Sequence, residues 1–241
     1  SVTVYNRSSD KTKKWFSNYG GKMAKTPAEA AEGADFVMCC VGNDEDLREV
    51  TIGKNGAFSK ISKGSIFVDH TTVSALVTKE LFNLANEMGF DFIDAPISGG
   101  QAGAENGMLS IMCGGDKQAF DKAKPILEIY SKICKRIGES GAGQQTKMCN
   151  QIAIAGLVQG LSEALHFAEK AGLDGRNVVE VISQGAAGSW QMENRFETML
   201  DDYFTHGFAV DWMRKDLKIC LDASDQIGAS LPVTALVNEF Y

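Results

Sequence analysis

The chain is short of proline, histidine and excess positive charge, and it has no long apolar run. Four prolines in 241 residues leave no room for a proline-rich linker, and neither a low-complexity tract nor an internal repeat interrupts the sequence. No apolar stretch approaches the roughly 18 residues needed to cross a bilayer. The opening SVTVYNRSSDKTKKW lacks the apolar core and small-residue cleavage pattern of a signal peptide. No membrane partner is expected. Lys and Arg number 24 against 31 Asp and Glu, a net charge of −7, and no basic cluster stands out to neutralise a run of phosphates, which argues against nucleic acid. The three histidines, His70, His166 and His206, accompany no HExxH, no tight His/Cys/Asp cluster and no GxSxG, so no metal site or Ser/His triad is expected, and His166 reads as structural. Cys39, Cys40, Cys113, Cys134, Cys149 and Cys220 form no CxxC pair and mostly sit in apolar runs such as FVMCCV. They read as reduced, buried small hydrophobes, which suits the cytoplasm, with an organelle matrix as the alternative.

What is present is an alternation. VTVY, DFVMCCV, SIFVDH, FDFIDAP and MLSIMCGG are short apolar runs, separated by amphipathic stretches such as SSDKTKKWFSNY, DEDLREVT and TVSALVTKELFNLANEMG. This order predicts a mostly parallel sheet with helices on both faces, whose ligands bind at the carboxyl ends of the strands. Thr or Ser at the head of the third stretch, Gly89 at its end and Asp116 at the head of DKQAFDKAKPILEIYSK are expected helix caps. After SGAGQ no clear strand follows. A long helix from Gln144 to Ala171, closed by Gly172, should lead into three further helices: one capped by Asp174, one over Gln191 to Leu200 and one over Ala209 to Ile227. The expected organisation is a Rossmann-like α/β domain over 1–143 and an all-helical domain over 144–241, joined by the long helix.

Three stretches carry chemistry. The loop DAPISGGQAGAENGMLSIMCGG, Asp94 to Gly115, holds six glycines and two formal charges. Its SGG can bring backbone amides and the Ser98 hydroxyl against a carboxylate, a tight turn with a hairpin being the alternative. In GESGAGQQTKMCNQ, Lys147, Asn150 and Gln151 fall on one helix face. An amine and two amides aimed at a cleft could bind an oxygen-rich substrate and move a proton; the alternative is a surface lysine on an amphipathic helix. At the end of the first strand, Asn6, Arg7 and Ser8 stand where a dinucleotide fold binds ribose, and an arginine there leans toward a 2′-phosphate.

Together these segments resemble the β-hydroxyacid dehydrogenases, the family of 3-hydroxyisobutyrate dehydrogenase and tartronate semialdehyde reductase, over essentially the whole chain. DAPISGG resembles the family's substrate loop, GAGQQTKMCN its catalytic helix, DHTT and CVGND its cofactor loops and WMRKDL its C-terminal segment. The resemblance implies Lys147 as catalytic acid/base and Ser98, Gly99, Gly100 and Asn150 as substrate-binding residues. It implies Asn6, Arg7, Ser8, Val41, Gly42, Asn43, Thr72 and Lys215 as cofactor contacts, and residues 101–105 as the place of substrate choice. The implied reaction is hydride transfer between NADP, or NAD, and a short 3-hydroxy acid or its semialdehyde, such as 3-hydroxyisobutyrate, tartronate semialdehyde or serine. A catalytically silent relative acting as a binding module, or an imine reductase, are the alternatives; retention of the lysine favours an oxygen substrate. GLVQG, with Gly156 and Gly160, permits close helix packing within the chain or in a homo-oligomer, a dimer or tetramer.

The chain departs from the family pattern at its start, which corresponds to the second strand, so the preceding strand and its GxGxxG pyrophosphate turn are absent from these residues. It also ends at LPVTALVNEFY, where family members continue for further helical turns. These departures read as truncation at both ends.

Overall fold

The computed structural model describes residues 1–205 and 207–241; His206 lies outside the described residues. Two compact units divide within one helix: Ser1–Lys147 and Met148–Tyr241.

The first unit alternates strand and helix. β1 (Thr3–Val4) and β2 (Lys22–Met23) flank α1 (Ser9–Tyr19) and pair in parallel. After α2 (Pro27–Ala31) come β3 (Phe36–Cys39), α3 (Asp44–Ile52), β4 (Ile66–Asp69), α4 (Ala75–Met88) and β5 (Asp91–Asp94), whose three strands are parallel neighbours. β6 (Ile97–Ser98), α5 (Gly100–Glu105), β7 (Leu109–Gly114), α6 (Lys117–Leu127) and β8 (Ser131–Gly138) complete the unit. β7 runs antiparallel to β5 and β6 and parallel to β8. The unit is a Rossmann-type, mostly parallel α/β domain.

Strand alternation explains why the sheet is covered twice. Phe67 and Phe92 pair in register and stack at 5.4 Å on one face, in a cluster with Phe58, Leu81 and Val77. Their neighbours Ile66, Val68 and Ile93 point to the other face and pack with Ile111, Phe120 and Leu127. Helix ends follow the expected chemistry. Ser74 accepts the Val77 amide at 3.2 Å, Asp116 accepts Gln118 N at 2.7 Å, and Gly89 closes α4 with a φ of 88°. Three elements were not anticipated from the sequence: the two-residue β2; the five-residue α2, although Thr26, Pro27 and Glu29 mark its start; and the eight-residue β8, whose residues alternate only loosely between half-buried and exposed.

α7 (Ala142–Lys170) starts in the first unit and continues as the spine of the second, which is all-helical among the described residues. α8 (Gly175–Ile182), α9 (Trp190–Leu200), α10 (Val210–Ile227) and α11 (Pro232–Phe240) follow. Leu161 and Leu165 pack with Val179 and Met192 of α8 and α9, while Ala155 packs with Met213, Leu217 and Val237 of α10 and α11. Among the described residues no helix is long and apolar enough to cross a membrane.

Two expectations are corrected. Only Cys113 and Cys220 are buried, whereas Cys40 and Cys149 are exposed. Cys40 is the first residue past the end of β3, and Cys149 falls on an exposed stripe of α7, so hydrophobic neighbours in sequence did not imply burial. His166, expected to be structural, is an exposed residue 3.8 Å from Glu169 on the surface of α7.

The head of α7 approaches the sheet closely. A Cβ added at Gly143 would lie 2.6 Å from the Asp94 carbonyl oxygen and closer still to that of Met112. Gly143→Ala should therefore cost about 1–3 kcal/mol of stability through overpacking, measured as a lower midpoint in urea; an unchanged midpoint would contradict this packing.

Candidate active site

Cys39, Asp69 and Asp94 are the last residues of β3, β4 and β5 and stand side by side in register. The segments that follow them, the loops 40–43 and 70–73 and the stretch 95–99 that includes β6, therefore open on one carboxyl edge, the ligand edge of such sheets. The sequence-predicted residues Val41, Gly42, Asn43, Thr72, Ser98, Gly99 and Gly100 lie in or just beyond these loops. Hydrogen bonds join the first two: the Val41 amide donates to Thr71 Oγ1 at 3.0 Å, and the Ser74 amide to Asp44 Oδ1 at 3.0 Å, with the Ser74 hydroxyl also bonded to Asp44. Asn43 has a structural task, since its side chain caps α3 by accepting the Asp46 amide at 2.7 Å.

The β1 turn is tied to the same region. Asn6 Oδ1 accepts the Ser8 amide at 2.8 Å, and Arg7, with its side chain 83% exposed, reaches Asp46 of α3 at 3.0 Å. Arg7 thus has an acidic partner that sequence spacing did not reveal, and an exposed pair of this kind is weak enough to exchange for a phosphate. This donor set fits the phosphorylated ribose of a dinucleotide.

The substrate loop is more structured than a single turn. Ser98 pairs with Ser110 across β6 and β7, Gly99 takes a φ of 133° just before the six-residue α5, and Gly100, the first residue of α5, takes a φ of 61°. Both glycines are exposed, and a Cβ at Gly99 would meet Leu109 Cδ2 at 3.2 Å, in a conformation that L side chains rarely adopt. Of the two sequence readings, the hairpin pairing and the exposed glycine backbone are both present.

α7 carries the lysine. Lys147 is only 7% exposed, which removes the reading of a surface lysine. Its helix is anchored by Asp94, fully buried, whose Oδ1 accepts the Gly141 amide at 2.9 Å and Oδ2 the Gln144 amide at 3.0 Å. Burial raises the Asp94 carboxyl to about 6, and the amide bonds partly offset it. Gln144, also fully buried, accepts from Val73 N at 3.1 Å and donates to the Thr71 carbonyl at 2.7 Å. His70 Nδ1 lies 2.7 Å from the Ala95 carbonyl and must donate to it, leaving Nε2 to accept from the Tyr130 hydroxyl at 2.9 Å. Burial lowers the pKa of His70, so this bridge is built on a neutral ring.

In the second unit Asn150 is half-buried and donates to Gln151 Oε1 at 2.7 Å. Gln151 in turn donates to Asp216 at 2.6 Å. Gln151, grouped with Lys147 and Asn150 in the sequence, is thus committed to a buried network with α10. Lys215, next along α10, lies 3.1 Å from Asp216 and lines a hollow of about 390 Å³ with Arg214, Lys218 and Asn238. No cluster that could hold a metal ion occurs among the described residues.

Sequence reasoning missed Asp94, Gln144 and Asp69 as organisers of the site. A carboxylate ending an apolar strand was the available signal, twice over, in FVD and FID.

A Rossmann-type carboxyl edge with a buried lysine at the head of α7 is an arrangement that nicotinamide-dependent dehydrogenases can use. Residues 1–138 match the NAD-binding domain of 6-phosphogluconate dehydrogenase, and residues 141–241 the NAD-binding domain of NADP-dependent 3-hydroxyisobutyrate dehydrogenase. An uncharacterized oxidoreductase of Shewanella frigidimarina is 56% identical over 240 residues, covering 100% of this chain and 82% of that protein. The 2-hydroxy-3-oxopropionate reductase of Escherichia coli is 36% identical over 222 residues, 92% of this chain and 76% of that one. The crystal structure of 3-hydroxyisobutyrate dehydrogenase from Salmonella typhimurium superposes with a TM-score of 0.87 at 26% identity, covering 98% of this chain and 83% of that chain. The chain belongs to the β-hydroxyacid dehydrogenase family, and it is an NAD(P)-dependent oxidoreductase of the 3-hydroxyacid type.

Asp69 gives this edge a pH signature. It is fully buried; Oδ1 accepts the Thr71 amide at 3.0 Å, while Oδ2 has no hydrogen-bond partner. Burial raises its carboxyl from 3.8 to about 7. A raised carboxyl contributes stability that is complete below about pH 3.8 and lost as pH rises through about 7. Asp69→Asn, which keeps an acceptor for Thr71, should be more stable than the parent by about 1–3 kcal/mol at pH 8.5. The gain should shrink to nothing near pH 4. Thermal melts across this range check it, and a gain independent of pH would contradict the assignment.

Proposed function

We propose that the protein transfers a hydride between NADP, or NAD, and a short 3-hydroxy acid or its semialdehyde, with 3-hydroxyisobutyrate, tartronate semialdehyde and serine as the leading candidates. The observation that carries this reading is Lys147: a buried amine at the head of α7, in a helix anchored by Asp94, the residue that opens the glycine-rich substrate loop. The names of the Escherichia coli and Salmonella relatives support the substrate class.

In this reading the Ser98 hydroxyl and the Gly99 and Gly100 amides bind the substrate carboxylate, and Asn150 supports substrate and lysine from the next turn of α7. Lys147 accepts the hydroxyl proton in the oxidative direction. In reduction it protonates the developing alkoxide, and its charge stabilises that oxygen before the proton moves. Asn6, Arg7 and Ser8 bind the ribose end of the cofactor, with Arg7 selecting a 2′-phosphate; Val41, Gly42, Asn43, Thr72 and Lys215 complete its contacts. The nicotinamide, when bound, supplies the hydride acceptor or donor. The exposed thiols of Cys40 and Cys149 suit the reducing cytoplasm.

Nicotinamide absorbance with a panel of 3-hydroxy acids and semialdehydes tests the reading. Turnover should appear with at least one of them, Lys147→Ala should lower kcat/KM by about 10²–10⁴, and Arg7→Asp should reduce the preference for NADP over NAD by about tenfold or more. Absence of nicotinamide-dependent turnover across the panel contradicts it.

We also propose a homo-oligomer, a dimer or tetramer, using the small-residue face of α7. Gly156 lies against Val233 of α11, where an added Cβ would meet Cγ1 at 3.8 Å, but a Cβ at Gly160 would meet nothing within 4 Å and Leu157 is 45% exposed, so the chain leaves the part of that face around Gly160 uncovered. Light scattering should return two or four chains; the mass of one chain contradicts the proposal.

A further inference from the structure

Gln144 is the one side chain of α7's first turn that reaches a loop after another strand with both ends of its amide. Its Oε1 accepts from Val73 N at 3.1 Å and its Nε2 donates to the Thr71 carbonyl at 2.7 Å, so the two bonds bracket Thr72. The latch extends in both directions. Through its own backbone amide, Gln144 is held by Asp94 Oδ2 at 3.0 Å. Through Thr71, whose Oγ1 accepts the Val41 amide at 3.0 Å, it is linked to the loop after β3. All of these groups are in the first unit, and Lys147 follows Gln144 by one helical turn on the same face.

We propose that Gln144 is a positioning residue that fixes the Thr71–Val73 loop against the catalytic helix, so that the cofactor-facing Thr72 and Lys147 are held in one register. The proposal rests on the dehydrogenase reading for its functional meaning. A buried amide with both ends satisfied is orientation-specific: rotation by half a turn about the last bond would set the donor against Val73 N–H and the acceptor against the Thr71 carbonyl. The bonds therefore admit one arrangement of loop and helix, whereas an apolar side chain of the same length would fill the space and leave the loop without a fixed register. Catalysis by two groups on different segments depends on such registration, since small displacements of a positioned group lower the rate steeply.

The test compares Gln144→Met, which keeps length and removes both bonds, with Gln145→Met at the exposed neighbouring position as control. The expected result for Gln144→Met is faster hydrogen exchange in the segment 70–74, an NADPH Kd raised about tenfold and a lower kcat at saturating cofactor. All three should be measured well below the unfolding temperature, with Gln145→Met unchanged in each. A purely structural role would lower the melting midpoint while leaving Kd, kcat and exchange at 70–74 at parental values, and that result overturns the proposal. If Gln144→Met does not fold, Gln144→Glu keeps the length and the acceptor for Val73 N and removes the donor to Thr71; the same outcomes apply to it. Failure of the parent protein to turn over any hydroxy acid would count against the functional reading alone, because exchange and NADPH affinity decide the latch without turnover.

Discussion

The carboxylate of Asp94 at the head of α7 is the constraint on which the site depends. Burying an ionised carboxylate is costly unless its oxygens are bonded, and Asp94 meets that requirement by accepting the amides of Gly141 and Gln144, one on each oxygen. These amides belong to the helix's opening turn, where donors lack intrahelical partners and the helix dipole favours a negative charge. One side chain therefore solves two problems at once, its own desolvation and the unsatisfied start of a 29-residue helix. The geometry leaves no space to spare: added Cβ atoms at Gly114 and Gly143 would lie 2.6 and 2.7 Å from Asp94 carboxylate oxygens. The lysine is held because the helix is pinned to the end of a central strand.

Around that anchor the carboxyl edge is organised by polar groups that never reach solvent. Asp69, His70, Thr71, Asp94 and Gln144 are all buried; Asp69 is bonded by the Thr71 amide of its own loop, and each of the others bonds to a backbone group of another loop or turn, or is bonded by one. Hydrogen bonds of this kind contribute modestly to net stability, but leaving any one unmade carries the full desolvation penalty. The result is a set of loops whose conformation is specified by partners and not by packing alone. Acidic groups dominate the edge, since Asp44 and Asp94 both raise the carboxyl of Asp69. Arg7 is drawn toward this edge by Asp46.

Much of the architecture was legible because its signals are local. Alternating apolar runs gave the strands β3, β4, β5 and β7, and Ser74, Asp116 and Asp174 marked helix starts by a chemistry confined to three residues. The change from strand-bearing to all-helical sequence after SGAGQ was equally plain. What escaped notice joins residues far apart in the chain. Gln144 bonds to Thr71 across 73 positions and Asp94 to Gly141 across 47, and neither leaves a periodic trace. The same reason hid the pairing of Arg7 with Asp46 and the commitment of Gln151 to Asp216. Cysteine burial was misjudged because an apolar run says which element a residue joins, not which side of it faces water.

The most direct test of the account is the fate of the hydrogen on the carbinol carbon. With 3-hydroxyisobutyrate, or whichever 3-hydroxy acid the protein turns over, deuterated at that carbon, the account predicts one deuterium delivered to C4 of the nicotinamide per turnover, read by mass spectrometry of the reduced cofactor. The rate should collapse in Lys147→Ala. Reduced cofactor carrying only protium, or a Lys147→Ala protein that transfers deuterium at the parental rate, would contradict the central claim that this buried lysine serves a direct hydride transfer from a hydroxy acid.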